Sequence, residues 1–254
     1  MTTGSGMSGK AIPAPGRHAS GRLAAQGAAV GSLLGGHASP IGWTVQYLEA
    51  PRDVVVAEIV RARADWGHVI EVASPRPFPE VLHDLLPFEA PWTRELVVSC
   101  GRWTAYLNNG VDGGDATAIG GALMKRLGIR LVVADNTPKY GPGHQATQLW
   151  VLGPDGEPPL MYRRTIAAHA TDGRWTWDQS GVPFGFEHTE RYGARRIRER
   201  FDRTLVVEYL EQCGISADDD TFYGDGILVQ QRVTYATRTE SLEQAKARIA
   251  GGGR

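Results

Sequence analysis

The chain has 254 residues, 42% of them hydrophobic and 22% charged, with a net charge of −1 at pH 7. That is ample length for a real core, and the near-zero charge gives no field that favours nucleic acid or an anionic membrane. The longest apolar runs fall far short of the ~20 residues a membrane helix needs. Cys100 and Cys213 sit in no CxxC or Cys/His spacing, so neither a disulfide framework nor structural zinc is expected.

Residues 1–40 are rich in Gly, Ala, Ser and Pro and contain no acid. Such a stretch is expected to be a disordered arm. The rival reading is a targeting peptide, although the apolar run Leu23 to Leu34 is interrupted by Gln26, Gly27, Gly31 and Ser32. A single α+β domain is expected from 41 to 235, with 236–254 a terminal helix or frayed tail.

Trp43 to Leu48 reads as a strand, Asp53 to Ala64 as a helix, and His68 to Ala73 as the next strand. Three prolines, Pro75, Pro77 and Pro79, make a connector, and Glu80 to Leu86 a short helix ended by Pro87. Leu96 to Cys100 and Trp103 to Leu107 are strands turned at Gly101-Arg102. The helix that follows is capped by Asp115, has Ile119, Leu123 and Leu127 on one face, and ends at Gly128. Its internal pair Gly120-Gly121 costs about 1 kcal/mol per residue against alanine, which close packing on a sheet would explain. Ile129 to Ala134 is a second apolar strand.

The order strand, helix, strand thus occurs at 43–73 and again at 103–134, the mark of a duplicated βαβ-like unit. Joined by its helix, the second pair would lie parallel in one sheet with a right-handed crossover.

Further on, Thr137 to Gly143 reads as a loop and Gln148 to Leu152 as a strand. Gly153 to Gly156 is a turn and Met161 to Ala168 a strand, and Asp172-Gly173 a tight hairpin into Arg174 to Trp177. Glu190 to Gly214 reads as helical, with a break at Asp202 to Thr204, and Ile227 to Val233 as a last strand. The expected fold is therefore a mixed β-sheet with packed helices, antiparallel strands in the second half, and a C-terminal helical segment.

Two constellations can carry function. In the first, Asn108, Asp112, Asp115, Asp135 and Asn136 gather at the carboxyl ends of two strands, where ligands of open α/β sheets bind. Carboxylates there can hold Mg²⁺ with waters for a metal-assisted hydrolase. The plainer reading is that Asp115 caps a helix, Asp112 turns, and Asp135 is solvated. In the second, Arg163, Arg164, Arg174, Trp175 and Trp177 precede Phe184 and Phe186. Trp175 and Trp177 share a strand face, and with Arg174 they suit a partner interface. The plainer reading is a core stripe with arginines at its rim.

The helix containing Arg191, Arg195 and Arg198 carries Glu190, Glu199 and Asp202 as well, which suits a solvated, ion-paired face better than nucleic acid. His169 and His188, with Asp172 and Glu187, form an acid/base or metal group only if the fold brings them together. No serine lies in a GxSxG elbow, and no phosphate-loop or dinucleotide motif is present. The expectation is a cytoplasmic, non-enzymatic protein of inhibitor or immunity type with a protein partner and no cofactor, membrane or nucleic acid. The hydrolase is the alternative.

Overall fold

The computed structural model describes residues 30–114 and 119–251. Strands β1 (Thr44–Leu48), β4 (Arg94–Cys100) and β5 (Trp103–Asn108) are buried over most of their length, and β6 (Leu131–Tyr140) over its first half. Strands apolar on both faces belong in the middle of a sheet covered on both sides, and these four do. With β2 (Val69–Val72), β7 (His144–Glu157), β8 (Tyr162–Thr171), β9 (Arg174–Ser180) and β10 (Gly226–Arg232) they form one sheet. Its order is β2-β10-β4-β5-β1-β6-β7-β8-β9. A small second sheet pairs β3 (Phe88–Ala90) with β11 (Arg238–Glu240).

The architecture is α+β, but the large sheet is antiparallel at every pairing rather than mixed. β1 inserts between the two strands expected to pair in parallel, so that Gln46 faces Tyr106 on one side and Val133 on the other. β5 and β6 still run in the same direction, joined through α2 (Gly120–Leu127), without hydrogen-bonding to each other. All five residues of β1 are buried. A strand buried on both faces gains most between two neighbours, and antiparallel ladders are the slightly stronger ones. The other unit, β1–α1–β2 with α1 spanning Arg52–Asp65, has three strands between its ends where the second has one. The shared element order therefore does not extend to sheet position.

Two apolar layers follow from the strand period. Leu48, Tyr106, Leu131, Val133 and Val229 face α1 and α2, meeting Val55, Ile59, Leu123 and Met124. Val45, Leu96, Val98, Leu107, Val132 and Ile166 face the other way. They are covered by the 3₁₀ turn Glu80–Leu85 and by α3 (Arg203–Gln212), through Leu205, Val206 and Tyr209. Gly120 explains itself: a Cβ there would sit 1.7 Å from the Gln46 Oε1 atom. A larger residue at that position would require the buried Gln46 side chain to move.

Several boundaries differ from the sequence expectation. The segment Glu190 to Gly214 is not one broken helix. Only Arg203–Gln212 is α-helical, N-capped by Asp202 through Leu205 N, and the part before it forms short 3₁₀ turns at Thr189–Gly193 and Ile197–Glu199. Local Arg–acid pairs such as Arg191–Asp202 at 2.7 Å hold those turns instead of a continuous ladder. The expected loop at 137–143 is mostly strand, because β6 runs on to Tyr140 across a bulge after Thr137 that accommodates Pro138. The expected turn Gly153 to Gly156 lies inside β7, and the chain reverses after Glu157 instead.

The hairpin at Asp172-Gly173 is as expected, with φ of 51° and 73°. Both values suit the twist of a two-residue hairpin.

The packed part begins before residue 41: Leu33 and Leu34 are completely buried. The rest of the arm, residues 1–29, lies outside the described residues. At the other end α4 (Leu242–Ala250) starts in a capping box made by Ser241 and Gln244 and buries Ala245 completely. Among the described residues no helix is long and apolar enough to cross a membrane.

Candidate functional site

Of the residues expected at the acidic edge, Asn108 and Asp135 lie level across three strands, with Thr44 between them, and Asp135 is the one acid in that row. Thr44 faces Asp135, and by the register that sets Gln46 against Tyr106 it lies level with Asn108. Asp135 is not solvated. It is buried, accepting from Thr44 Oγ1 at 2.9 Å and from the Thr137 amide at 3.0 Å. Burial pushes its carboxyl up to about 6, while the bonds from Thr44 and Thr137 pull the other way. Tyr140 stands nearby, its ring 5.1 Å from Trp43 and 5.7 Å from His144. Burial raises its phenol, and the charges of Asp112 and Asp135 add to the effect.

Asp112 has another role. It is exposed and receives Arg248 Nη1 at 3.2 Å, while the same guanidinium binds the Val111 carbonyl at 2.6 Å and the Glu240 carboxylate. The C-terminal helix is thus fastened to the loop that carries Asp112. Asp115 lies outside the described residues, and α2 as described begins at Gly120. Among the described residues no three His, Cys, Asp or Glu side chains come together as a metal group.

The aromatic and cationic group divides by strand face. β9 pairs with β8 from Thr165–Ser180 to Thr171–Arg174 and forms one end of the sheet. Trp175 and Trp177 are half-buried on the α3 side, Trp177 lying 5.1 Å from Tyr192 with the Arg200 guanidinium 5.8 Å from its ring. Arg174, Thr176, Asp178 and Ser180 alternate with them and are exposed. Neither Arg174 nor Asp178 makes an ion pair among the described residues.

Arg164 is not at a rim. It is 1% exposed and grips Glu187 with two bonds of 2.7 and 2.9 Å. It also donates to the Ser180 and Gly181 carbonyls at 3.0 and 3.2 Å. His169 and His188 do not meet. His169 shares the α2-side face with its partner Ala146, whereas His188 lies by α3, bonded to Glu208 at 2.8 Å. Glu187 is committed to Arg164.

Two groupings had no signal in sequence. Glu95 is completely buried, bound by Arg63 at 2.7 and 2.9 Å and by the Tyr106 hydroxyl at 2.7 Å. The Arg63 guanidinium lies between the rings of Trp66 and Trp92, at 4.8 and 4.6 Å. Their members come from α1, β4 and β5 and from a separate loop. The second is a cleft beside α2, lined by Leu131, Val133, Trp150, Leu152, Leu160 and Tyr162.

The described residues define an α+β protein built on a nine-stranded antiparallel sheet whose polar end strand β9 has no described strand on its outer side. No family model, curated protein or solved structure matches the chain.

Proposed function

We propose that the chain is a non-enzymatic partner-binding protein, of inhibitor or immunity type, that receives an extended segment of a protein partner along β9. The observation that carries this reading is the state of that strand. Its seven residues are laddered to β8 on one side, and no described strand lies on the other. An open edge offers unpaired backbone donors and acceptors to an added strand.

Two features make this edge suited to a selective partner. Trp175 and Trp177, seated against the core, and Arg164, gripping the Ser180 carbonyl, hold the strand in place before binding. A preformed edge spends less ordering entropy on association. Arg174 and Asp178 present opposite exposed charges four residues apart, so a segment with an acid and a base at the matching spacing is favoured over others. The other end strand, β2, has only four residues and exposes Val69 and Val72 without such a pattern.

The test is copurification from the native host of the wild-type chain and of an Arg174→Glu, Asp178→Arg double variant, with amide exchange of any complex. A partner held by the wild type, lost by the variant, and slowing exchange in 174–180 supports the reading. No protein held by the wild type, or one held equally by the variant, or protection confined to another surface, overturns it.

A further inference from the structure

On the helical face of the sheet, α1 packs over β2, β4, β5 and β10, and α2 over β1, β6 and β7. α2 has only eight residues. Beyond its outer flank the sheet continues, and an apolar cleft of about 500 Å³ opens there. That size falls within the ordinary range for small-molecule pockets, roughly 300–1,000 Å³.

The floor is Leu131, Val133 and Leu152. One wall is Trp150 and Tyr162, set edge to face at 6.3 Å. The other is the flank of α2, where Gly121 and Ala122 are too small to fill the space; a Cβ on Gly121 would touch nothing within 4 Å. Leu160 stands at the mouth, 55% exposed. Among the described residues of the lining Lys125 is the one charged side chain. It is exposed and makes no ion pair among the described residues. Glu157, opposite Tyr162 in register, is not part of the lining.

We propose that this cleft binds a small amphipathic carboxylate, an alkyl or aryl acid whose apolar body lies against Trp150 and Tyr162 and whose carboxylate meets the Lys125 ammonium. Apolar walls supply the driving force through buried area. The single cation at the rim supplies the sign of the head group: an amine would be repelled, and a neutral chain would forgo a charge-assisted hydrogen bond. The site lies on the α2 flank and is independent of the β9 edge.

The test titrates the full chain with decanoate, decanol and decylamine below their aggregation limits, read by calorimetry and tryptophan fluorescence. Decanoate is expected to bind saturably, about tenfold more tightly than decanol, the discrimination that one hydrogen bond to a charged group supports. Lys125→Met should erase that preference and leave decanol binding unchanged. Gly121→Leu should abolish both, and because leucine is the better helix former its fold is not at risk on that account. Thermal melting of each variant checks this. Absence of saturable binding, equal binding of all three probes, a preference that survives Lys125→Met, or binding that survives Gly121→Leu would each overturn the proposal. So would a protein partner that competes with decanoate, which would mark the cleft as part of a protein interface.

Discussion

Arg164 and Glu187 form a two-pronged ion pair sealed inside the protein, Nε to Oε1 at 2.9 Å and Nη2 to Oε2 at 2.7 Å. Their side chains are 1% and 0% exposed. Glu187 also accepts from the Phe184 amide at 2.8 Å and from the Tyr192 hydroxyl at 2.9 Å. Arg164 reaches the carbonyls at the end of β9. One pair therefore ties β8, the end of β9, and the segment after it into a single unit.

Breaking such a pair from one side leaves a charge without its partner in a medium that solvates it poorly. Arg164→Ala should cost roughly 3–5 kcal/mol in urea unfolding. Replacing both with methionine should cost less than the sum of the two single losses, because no charge is stranded. Amide exchange over 174–180 should also rise in Arg164→Ala. A loss under about 1 kcal/mol would mean that water reaches the pair.

What could be read in the sequence divides along physical lines. The strands at 44–48, 94–100, 103–108 and 226–232 were legible because β-branched and aromatic runs with turn residues between them are local signals. So was the Asp172-Gly173 hairpin. Pairing was not legible. Nothing in residues 103–134 says that β1 will take the place between β5 and β6, since that choice depends on which strand is buried on both faces when all are assembled. The regular four-residue spacing of Ile197, Phe201, Leu205 and Tyr209 mimicked one helix, yet only the part after Asp202 has a cap to start it. Asp135 was legible as a candidate because of its place at a strand end, but its burial was not. The α2 cleft was invisible, since Gly121, Lys125, Trp150 and Tyr162 converge only through the sheet.

Leu33 gives a direct test of how far the packed part reaches. It is completely buried and belongs to the same apolar layer as Val45, Leu149 and Leu205. Leu33→Ala should destabilise by roughly 2–5 kcal/mol, as a cavity in a close-packed interior does. An effect within about 0.5 kcal/mol would place the segment outside the cooperative core.

Gly120 and Gly121 are neighbours with opposite expectations. Alanine at 120 would drive its methyl into the Gln46 side chain, whereas at 121 it meets nothing. Gly120→Ala should lose about 1–3 kcal/mol, the usual cost of overpacking. Gly121→Ala should gain up to about 1 kcal/mol from helix propensity. Thermal melts of the two variants side by side settle it, and equal effects would mean that α2 does not lie against Gln46 as described.

Asp135 makes stability depend on pH in a predictable direction. Its carboxyl titrates near 3.9 in an unfolded chain and is raised to about 6 in the folded one, chiefly by burial. The folded state therefore holds the proton more tightly than the unfolded state. Stability from this group is fully present below about pH 3 and is lost as pH rises through about 6, the curve becoming flat above about pH 7. The gap between those two titration points corresponds to about 3 kcal/mol. Other acids titrate in the same window, so the quantity to follow is the difference in unfolding free energy between the wild type and Asp135→Asn. Asparagine keeps the shape and stays neutral, which removes the pH-dependent part of Asp135 alone. Between pH 4 and 6 the wild type should lose ground to the variant by about 2 kcal/mol, out of about 3 kcal/mol over the whole titration, and above about pH 7 the difference should be constant. A difference that is flat throughout would mean that the bonds from Thr44 and Thr137 cancel the effect of burial, and one that moves the other way that they outweigh it.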